Sequence, residues 1–263
     1  QIQLNEATIW AGSPNNNPNP AALKAIPELR QLIFAGKYEE AQALATQKVM
    51  SATNQGMPFQ PFGDLRISFP GHTRYTDYYR DLNLDSARTV VTYKVDGVSF
   101  KRETFTSFTD QVVVVRLTAS KKQQITFNAV FTSPHQDVMI ASDGNSVTLD
   151  GTAANHELQK GKVKFQGRVT ANIQSGRLTC KDGVLSVENA DEAILYVSIA
   201  TNFNNYKDIT ADPVERAKSY LANAAGKNFA DMKKSHVEFF KKWMDKSSLD
   251  LGPNLSAETT DKR

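Results

Sequence analysis

QPFGDLRISFPGHTRYTDYYRDLNLDSARTVVTYKVDGVSFKRETFTS, residues 60–107, decides the fold class of this chain. Leu65, Ile67 and Phe69 alternate along one strand face, because successive side chains of a strand point to opposite sides. Val90-Val91, Tyr93 and Val95 build a second strand. Asp96-Gly97 is a two-residue hairpin signal, and Val98, Phe100 and Arg102 return on the far side. The segment reads as strand, loop, strand, turn, strand, with Tyr75, Tyr78 and Tyr79 in or beside the loop.

Strand signals continue downstream, with Val112 to Val115 a continuous apolar run. Gln111–Leu117, Ile125–Phe131, Val138–Ile140, Val147–Leu149, Val163–Val169, Leu178, Val184–Val187 and Ala193–Ile199 are strand candidates. Asp143-Gly144, Asp150-Gly151 and Asp182-Gly183 punctuate them as turns. About a dozen strands with short turns and no interleaved helices exclude a parallel α/β sheet and point to a large antiparallel sandwich. Helices are confined to the flanks. Upstream, Gln1–Trp10 alternates weakly as a short strand, and an Asn/Pro-rich loop follows from Gly12 to Pro20. The stretch 21–50 is helical, with Pro27 suited to a first turn and Gly36 as a break. Downstream, Asp212-Pro213 caps one helix, and Asn228–Met244 forms another. Met232, Val237, Phe240 and Met244 are its expected inward stripe, with Phe239 and Trp243 beside it. So wide a stripe wants a partner surface.

Bulk properties narrow the function classes. The 263 residues carry a net charge of +3, with Lys121-Lys122 and Lys233-Lys234 as isolated doublets, so no basic footprint for nucleic acid exists. No apolar run reaches the ~18 residues of a membrane span. The lone Cys180 excludes an internal disulfide and reads as a small hydrophobe in a strand. No phosphate-binding glycine loop or Gly-x-Ser-x-Gly elbow is present, and no cofactor is expected.

The remaining chemistry is that of carbohydrates. A glycosidase needs two carboxyl groups flanking the scissile bond. Glu6, Asp64, Asp81, Asp85, Glu103 and Asp110 are the acidic candidates. Asp64 and Asp85 read as turn or strand-start residues, Glu103 as half of an ion pair, and no convincing acid–base pair emerges. His72, His135, His156 and His236 have no metal-ligand spacing, so no metal site is expected. His135, after Ser133-Pro134 at a loop tip, is the best of the four. Flat rings stack on the C–H faces of sugars, which singles out Trp10, Tyr75, Tyr78 and Tyr79. The competing role for these rings is to cover the sandwich edge.

Several segments, in order along the chain, resemble glycoside hydrolase family 95, the α-L-fucosidases. They are Leu4-Asn5-Glu6-Ala7-Thr8-Ile9-Trp10-Ala11-Gly12, the stretch from Leu29 to Ala41, Gln60–Leu65, Tyr79–Ala87, Arg102-Glu103, Ser248–Gly252 and Thr260–Arg263. Phe62 and Asn83 depart from residues common in that family, at positions without a catalytic role. The resemblance implies a galactose mutarotase-like β super-sandwich over 1–209, with the helical insertion at about 21–50. It implies helices over 210–263 that link to an (α/α)6 barrel. In the family that barrel holds the inverting machinery, a Glu general acid with Asn and Asp residues that hold the attacking water. No position here matches those motifs, so no catalytic residue is carried over and this piece is expected to be inactive by itself. The implied enzyme cleaves terminal α-L-fucosyl or α-L-galactosyl residues, with its own barrel and a fucosylated oligosaccharide as partners and a bacterial periplasmic or secreted location. Trp10, Asn15 and Asn16 are the candidate substrate-binding residues, at the active-site rim. Two alternatives stand beside this reading. A stand-alone carbohydrate-binding sandwich should not end on an apolar helix, and a mutarotase-like epimerase would need a His/acid set that the sequence lacks.

Overall fold

The computed structural model describes residues 1–51 and 56–250, together with 252, 253, 256, 258–260 and 262. In chain order the elements are β1 (Ile2–Leu4), α1 (Ala22–Phe34), α2 (Tyr38–Lys48), β2 (Gly63–Ser68), β3 (Thr76–Asn83), β4 (Arg88–Val95) and β5 (Val98–Ser107). Then come β6 (Val112–Ala119), β7 (Ile125–Thr132), β8 (Met139–Asp143), β9 (Ser146–Thr152), β10 (Lys164–Gln174), β11 (Arg177–Lys181), β12 (Val184–Ala190) and β13 (Glu192–Thr201). Two helices close the series, α3 (Pro213–Ala225) and α4 (Phe229–Met244).

The strands form two antiparallel sheets. The smaller runs β1-β2-β7-β12-β11 and the larger β3-β4-β5-β6-β13-β10-β9-β8. Alternation sets which face each strand buries. In β7, Ile125, Phe127, Ala129 and Phe131 point inward, and in β6, Val115 and Leu117 meet them from the opposite sheet. The resulting core includes Phe62, Phe165, Leu149, Leu185 and Leu195, all at most 1% exposed. Phe62 holds Phe131 and Phe165 edge-on at 5.7 and 5.6 Å. Cys180 of β11 packs half-buried against this core.

The outer face of the large sheet carries a second core. Phe105, Val112, Val114 and Tyr196 pack against Leu221, Ala224 and Met232 of the closing helices. Asp212 caps α3 by accepting from the amides of Val214 and Glu215 at 2.8 and 3.3 Å, with Pro213 in the first turn. In α4 the inward residues are Met232 and His236, flanked by Phe229, rather than the expected stripe through Val237, Phe240 and Met244. Lys233 pairs with Glu103 of β5 and His236 with carbonyls of the β3–β4 turn, and those polar contacts rotate the helix away from its most apolar face.

Three other expectations are corrected. Pro27 lies inside α1, because the helix starts at Ala22. Asp150-Gly151 is not a turn but part of β9: a Cβ at Gly151 would come within 2.4 Å of the Phe165 ring, so the glycine serves close packing. Tyr78 and Tyr79 lie in the edge strand β3 rather than in a loop. That strand has no apolar alternation because almost all of it is exposed, and its pairing with β4 breaks register between Thr76 and Tyr79. The Asp96-Gly97 and Asp182-Gly183 hairpins form as read; at the first, both residues have positive φ, +46° and +73°, as a primed turn requires.

Candidate functional site

The segment after β1 crosses one end of the sandwich. Its backbone is held by Gln60 donating to the Ile9 carbonyl at 2.9 Å, Ala11 to Pro58 at 3.0 Å, and Gly12 to Ala154 at 2.8 Å. Ile9 is thereby driven into the core, fully buried, and its neighbour Trp10 must point the other way. Trp10 is 44% exposed, donates from Nε1 to the Ala7 carbonyl at 2.8 Å, and meets Phe59 edge-on at 5.6 Å. It is a surface ring held in one orientation, not a core residue. Asn15 and Asn16 are exposed in the loop that follows, and the Asn15 side-chain amide donates to the Ser13 carbonyl at 3.1 Å.

A concave site lies beside the β1 edge of the small sheet. The large sheet is wider, so the inner faces of β3, β4 and β5 extend past the β1 edge and form an overhang. Register places Arg80, Val91 and Arg102 in one row across these strands, and Leu82, Thr89 and Thr104 in the next. Ile2, Phe69 and His72 form the facing wall, and Tyr75 and Tyr78 stand at the mouth, enclosing about 770 Å³. The two tyrosine rings are 5.7 Å apart, and each is over half exposed. Tyr93 stacks on Phe100 at 5.5 Å, and its hydroxyl lies 2.9 Å from His72 Nδ1. The Arg102 guanidinium sits 4.8 Å above the Phe69 ring. Burial lowers the His72 pKa, and the nearby Arg102 charge lowers it further; burial also lowers that of Arg102 itself.

The acidic candidates are mostly engaged in structural contacts. The Glu6 carboxylate accepts from the Thr8 amide and hydroxyl at 2.8 and 2.6 Å. Asp64 accepts from the Gln1 amide at 2.8 Å, and Asp85 lies in the β3–β4 turn. Asp81 lines the overhang groove but, by strand alternation, sits on the opposite face of β3 from Arg80. Glu103 is 4% exposed and receives Arg88 at 2.5 Å and Lys233 of α4 at 2.6 Å, with Lys101 at 3.5 Å. Burial pushes its pKa up, but the hydrogen bonds from Lys233 and Arg88 outweigh that and hold it at about 2. Asp110 is likewise buried, with Lys227 at 2.5 Å and the Ser107 hydroxyl at 2.5 Å. Burial raises its pKa, the bonds from Lys227 and Ser107 lower it, and the net shift is downward. Both carboxylates are fixed charges that bolt the closing helices to the sheet, and neither is free to shuttle a proton at neutral pH.

The histidines are similarly occupied. His236 donates from Nε2 to the Ser86 and Ala87 carbonyls at 3.1 Å and stacks on Phe105 at 4.8 Å. His135 donates from Nε2 to the Pro61 carbonyl at 2.9 Å, which ties one loop to another. No cluster of three or more His, Cys, Asp or Glu residues suited to a metal occurs among the described residues.

Residues 1–206 match the family described as "Glycosyl hydrolase family 65, N-terminal domain". The chain belongs to this family. Sequence similarity to curated proteins extends further along it. Alpha-L-fucosidase 2 of Arabidopsis thaliana is 28% identical over 98% of the chain, and "Probable alpha-fucosidase A" of Aspergillus niger is 26% identical over the same share. The chain spans about a third of the length of these relatives, 33% and 34%. Among solved structures, a putative kojibiose phosphorylase from the human microbiome is similar over 70% of the chain and 28% of its own, with a TM-score of 0.48 and 13% identity. A family 65 amino-terminal domain is thus the frame in which the Trp10 segment and the overhang groove both sit. Trp10 was legible as an aromatic beside a loop, and so were Tyr75 and Tyr78. Arg102 was not, because an arginine in an alternating strand looks like a solvated surface residue until the second sheet is placed beneath it. Among the described residues no helix is long and apolar enough to cross a membrane.

Proposed function

We propose that this chain is the amino-terminal β-sandwich domain of a glycoside hydrolase of family 95 that removes terminal α-L-fucosyl residues from glycans with inversion. The observation that carries this reading is the match to α-fucosidases along 98% of the chain, although the chain spans only a third of their length. The structural engagement of Glu6, Glu103 and Asp110 supports it, since these carboxylates serve the domain's own packing. In this reading residues 1–209 are the sandwich and 210–263 the helical linker to an (α/α)6 catalytic barrel. The barrel supplies the acid–base pair and decides between fucose and L-galactose. Trp10, Asn15 and Asn16 face the barrel and form part of the active-site rim. No cofactor is required, and the protein works outside the cytoplasm, in the periplasm or secreted, where fucosylated oligosaccharides are met.

The test compares the 263-residue chain with the full-length protein that contains it. The longer protein should release fucose from 2'-fucosyl-linked and aryl fucosides, with the β anomer as first product by NMR, and the 263-residue chain should release none. Turnover by the 263-residue chain that is lost on changing one of its own carboxylates, or a full-length protein inert on every fucoside, overturns the reading.

A further inference from the structure

The overhang groove between β1 and the inner faces of β3–β5 has no part in the function proposed above. Its dimensions and lining indicate a ligand. About 770 Å³ is within the range of small-molecule sites and accommodates one or two pyranose rings. Tyr75 and Tyr78 present half-exposed rings at its mouth, flat apolar surfaces against which the C–H face of a sugar stacks.

The cations inside are not held in ion pairs: Asp81 also lines the groove, on the face of β3 opposite Arg80, and is within ion-pair distance of neither Arg80 nor Arg102. Among the described residues, Arg88, Arg116 and Arg168 each have a carboxylate partner, Glu103, Glu192 and Asp143 respectively. Arg80 and Arg102 have none within ion-pair distance, yet both line the groove. Arg102 is half-buried on the Phe69 ring, and its Nε is buried without a hydrogen-bond partner. The nearest charged neighbours do not neutralise it: Glu103 points to the opposite face of β5, toward α4. A half-buried cation without an anion is costly, and a planar guanidinium matches a carboxylate in bidentate fashion. Arg80 and Arg102 sit on strands two apart, so their backbones are about 10 Å from each other and both side chains reach one anion between them.

We propose that this groove is a binding site for an acidic sugar, a hexuronate residue of a glycan, with its carboxylate on Arg102 and Arg80 and its ring against Tyr75 and Tyr78. The site is separate from the Trp10 rim. It would hold a glycan by a charged residue while the hydrolytic site works on another.

Calorimetric titration of the 263-residue chain tests this directly and needs no hydrolytic activity, so its outcome is independent of the fucosidase reading. The probes are the methyl glycosides of D-galacturonate and D-glucuronate, a tetragalacturonate, the matching neutral methyl hexosides, and acetate. At least one uronoside should bind, and its neutral counterpart should bind about ten- to a hundredfold more weakly, the worth of charge-assisted bonds. Tighter binding of the tetramer would assign the site to a residue within a polymer, and equal binding to a single or terminal residue. Arg102→Gln should abolish the preference for the acid. Arg80→Gln and Tyr78→Ala, at exposed positions, should weaken uronoside binding without changing the melting temperature, which keeps the test decisive if Arg102→Gln fails to fold. Equal affinity for acidic and neutral sugars, displacement by acetate at the same concentration as uronoside, no binding of any uronoside, or binding untouched by Arg80→Gln and Tyr78→Ala overturns the proposal.

Discussion

Replacing Glu103 by Gln tests whether a buried charge network holds α4 to the large sheet. The side chain keeps its volume and loses its charge. In the native protein Glu103 gathers Arg88, Lys233 and Lys101, and its pKa falls from 4.5 to about 2. A depression of that size corresponds to about 3 kcal/mol of stability at pH 7. The partners are themselves a quarter to a half exposed, so water recovers part of the loss in the variant. The expected net destabilisation is therefore about 2–3 kcal/mol, or a fall in melting temperature of about 4–12 °C for a chain of this size. The pH dependence has a definite sign. A depressed carboxylate pKa contributes stability that is complete above the unfolded value near 4.5 and disappears as pH falls through the folded value near 2. The gap between wild type and variant should be full at pH 7, less than half of that at pH 3, and closed near pH 2. Thermal melts by circular dichroism at these pH values measure it. A variant that melts within 1 °C of wild type at pH 7, or a gap that is the same at pH 7 and pH 3, would refute the reasoning.

Three further outcomes follow from neighbouring features. Asp110→Asn removes the partner of Lys227 just before α4, and the loss should again be complete at neutral pH and shrink in acid below the ordinary aspartate pKa of 3.8, read from denaturant titrations at two pH values. Gly167→Ala places a Cβ within 2.2 Å of the Phe62 ring at the centre of the core, and the overpacking should cost about 1–3 kcal/mol in the same titrations. Trp10→Ala removes a ring that is 44% exposed, so stability should fall by no more than about 1 kcal/mol. In the full-length protein its kcat/KM for a fucoside should fall several-fold if Trp10 lines the active-site rim, whereas unchanged kinetics would reduce it to a lid over Phe59.

The sandwich was legible because its signal is local and repeated. Alternation in β5 and β7, the continuous Val112–Val115 run in β6 and the Asp-Gly pairs at 96–97 and 182–183 each report on a few adjacent residues, and all agree. What was misread depends on partners distant in sequence. The β3 strand carries no apolar alternation because it is an edge that the small sheet never covers. Asp150-Gly151 has the composition of a turn, but the Phe165 ring on the neighbouring strand is what demands a glycine there. In α4, apolarity alone selects Val237, Phe240 and Met244. The polar groups that face it, Glu103 on β5 and the Ser86 and Ala87 carbonyls of the β3–β4 turn, instead select Lys233 and His236.

The same distinction separates the Trp10 segment from the overhang groove. Trp10 could be singled out from sequence because it is a flat aromatic ring beside a loop. The overhang groove has no such local mark. It exists because eight strands in one sheet face five in the other, so the inner face at the β3 edge is covered only in part: Val95, Val98 and Phe100 are buried in the core, whereas the rows through Arg80 and Arg102 and through Leu82 and Thr104 line the groove. In those rows the inward positions carry Arg80, Thr89, Arg102 and Thr104 beside Val91 and Leu82. Further along the same rows, where the small sheet covers them, Arg102 is followed across β6 and β13 by Leu117 and Ala193, and Thr104 by Val115 and Leu195. Cationic and hydroxylic side chains thus enter these rows at the margin of the covering sheet. Solvent exposure alone accounts for the threonines. It does not account for an arginine folded back onto Phe69 with no carboxylate partner, and that residue is where a bound anion would change the energetics most.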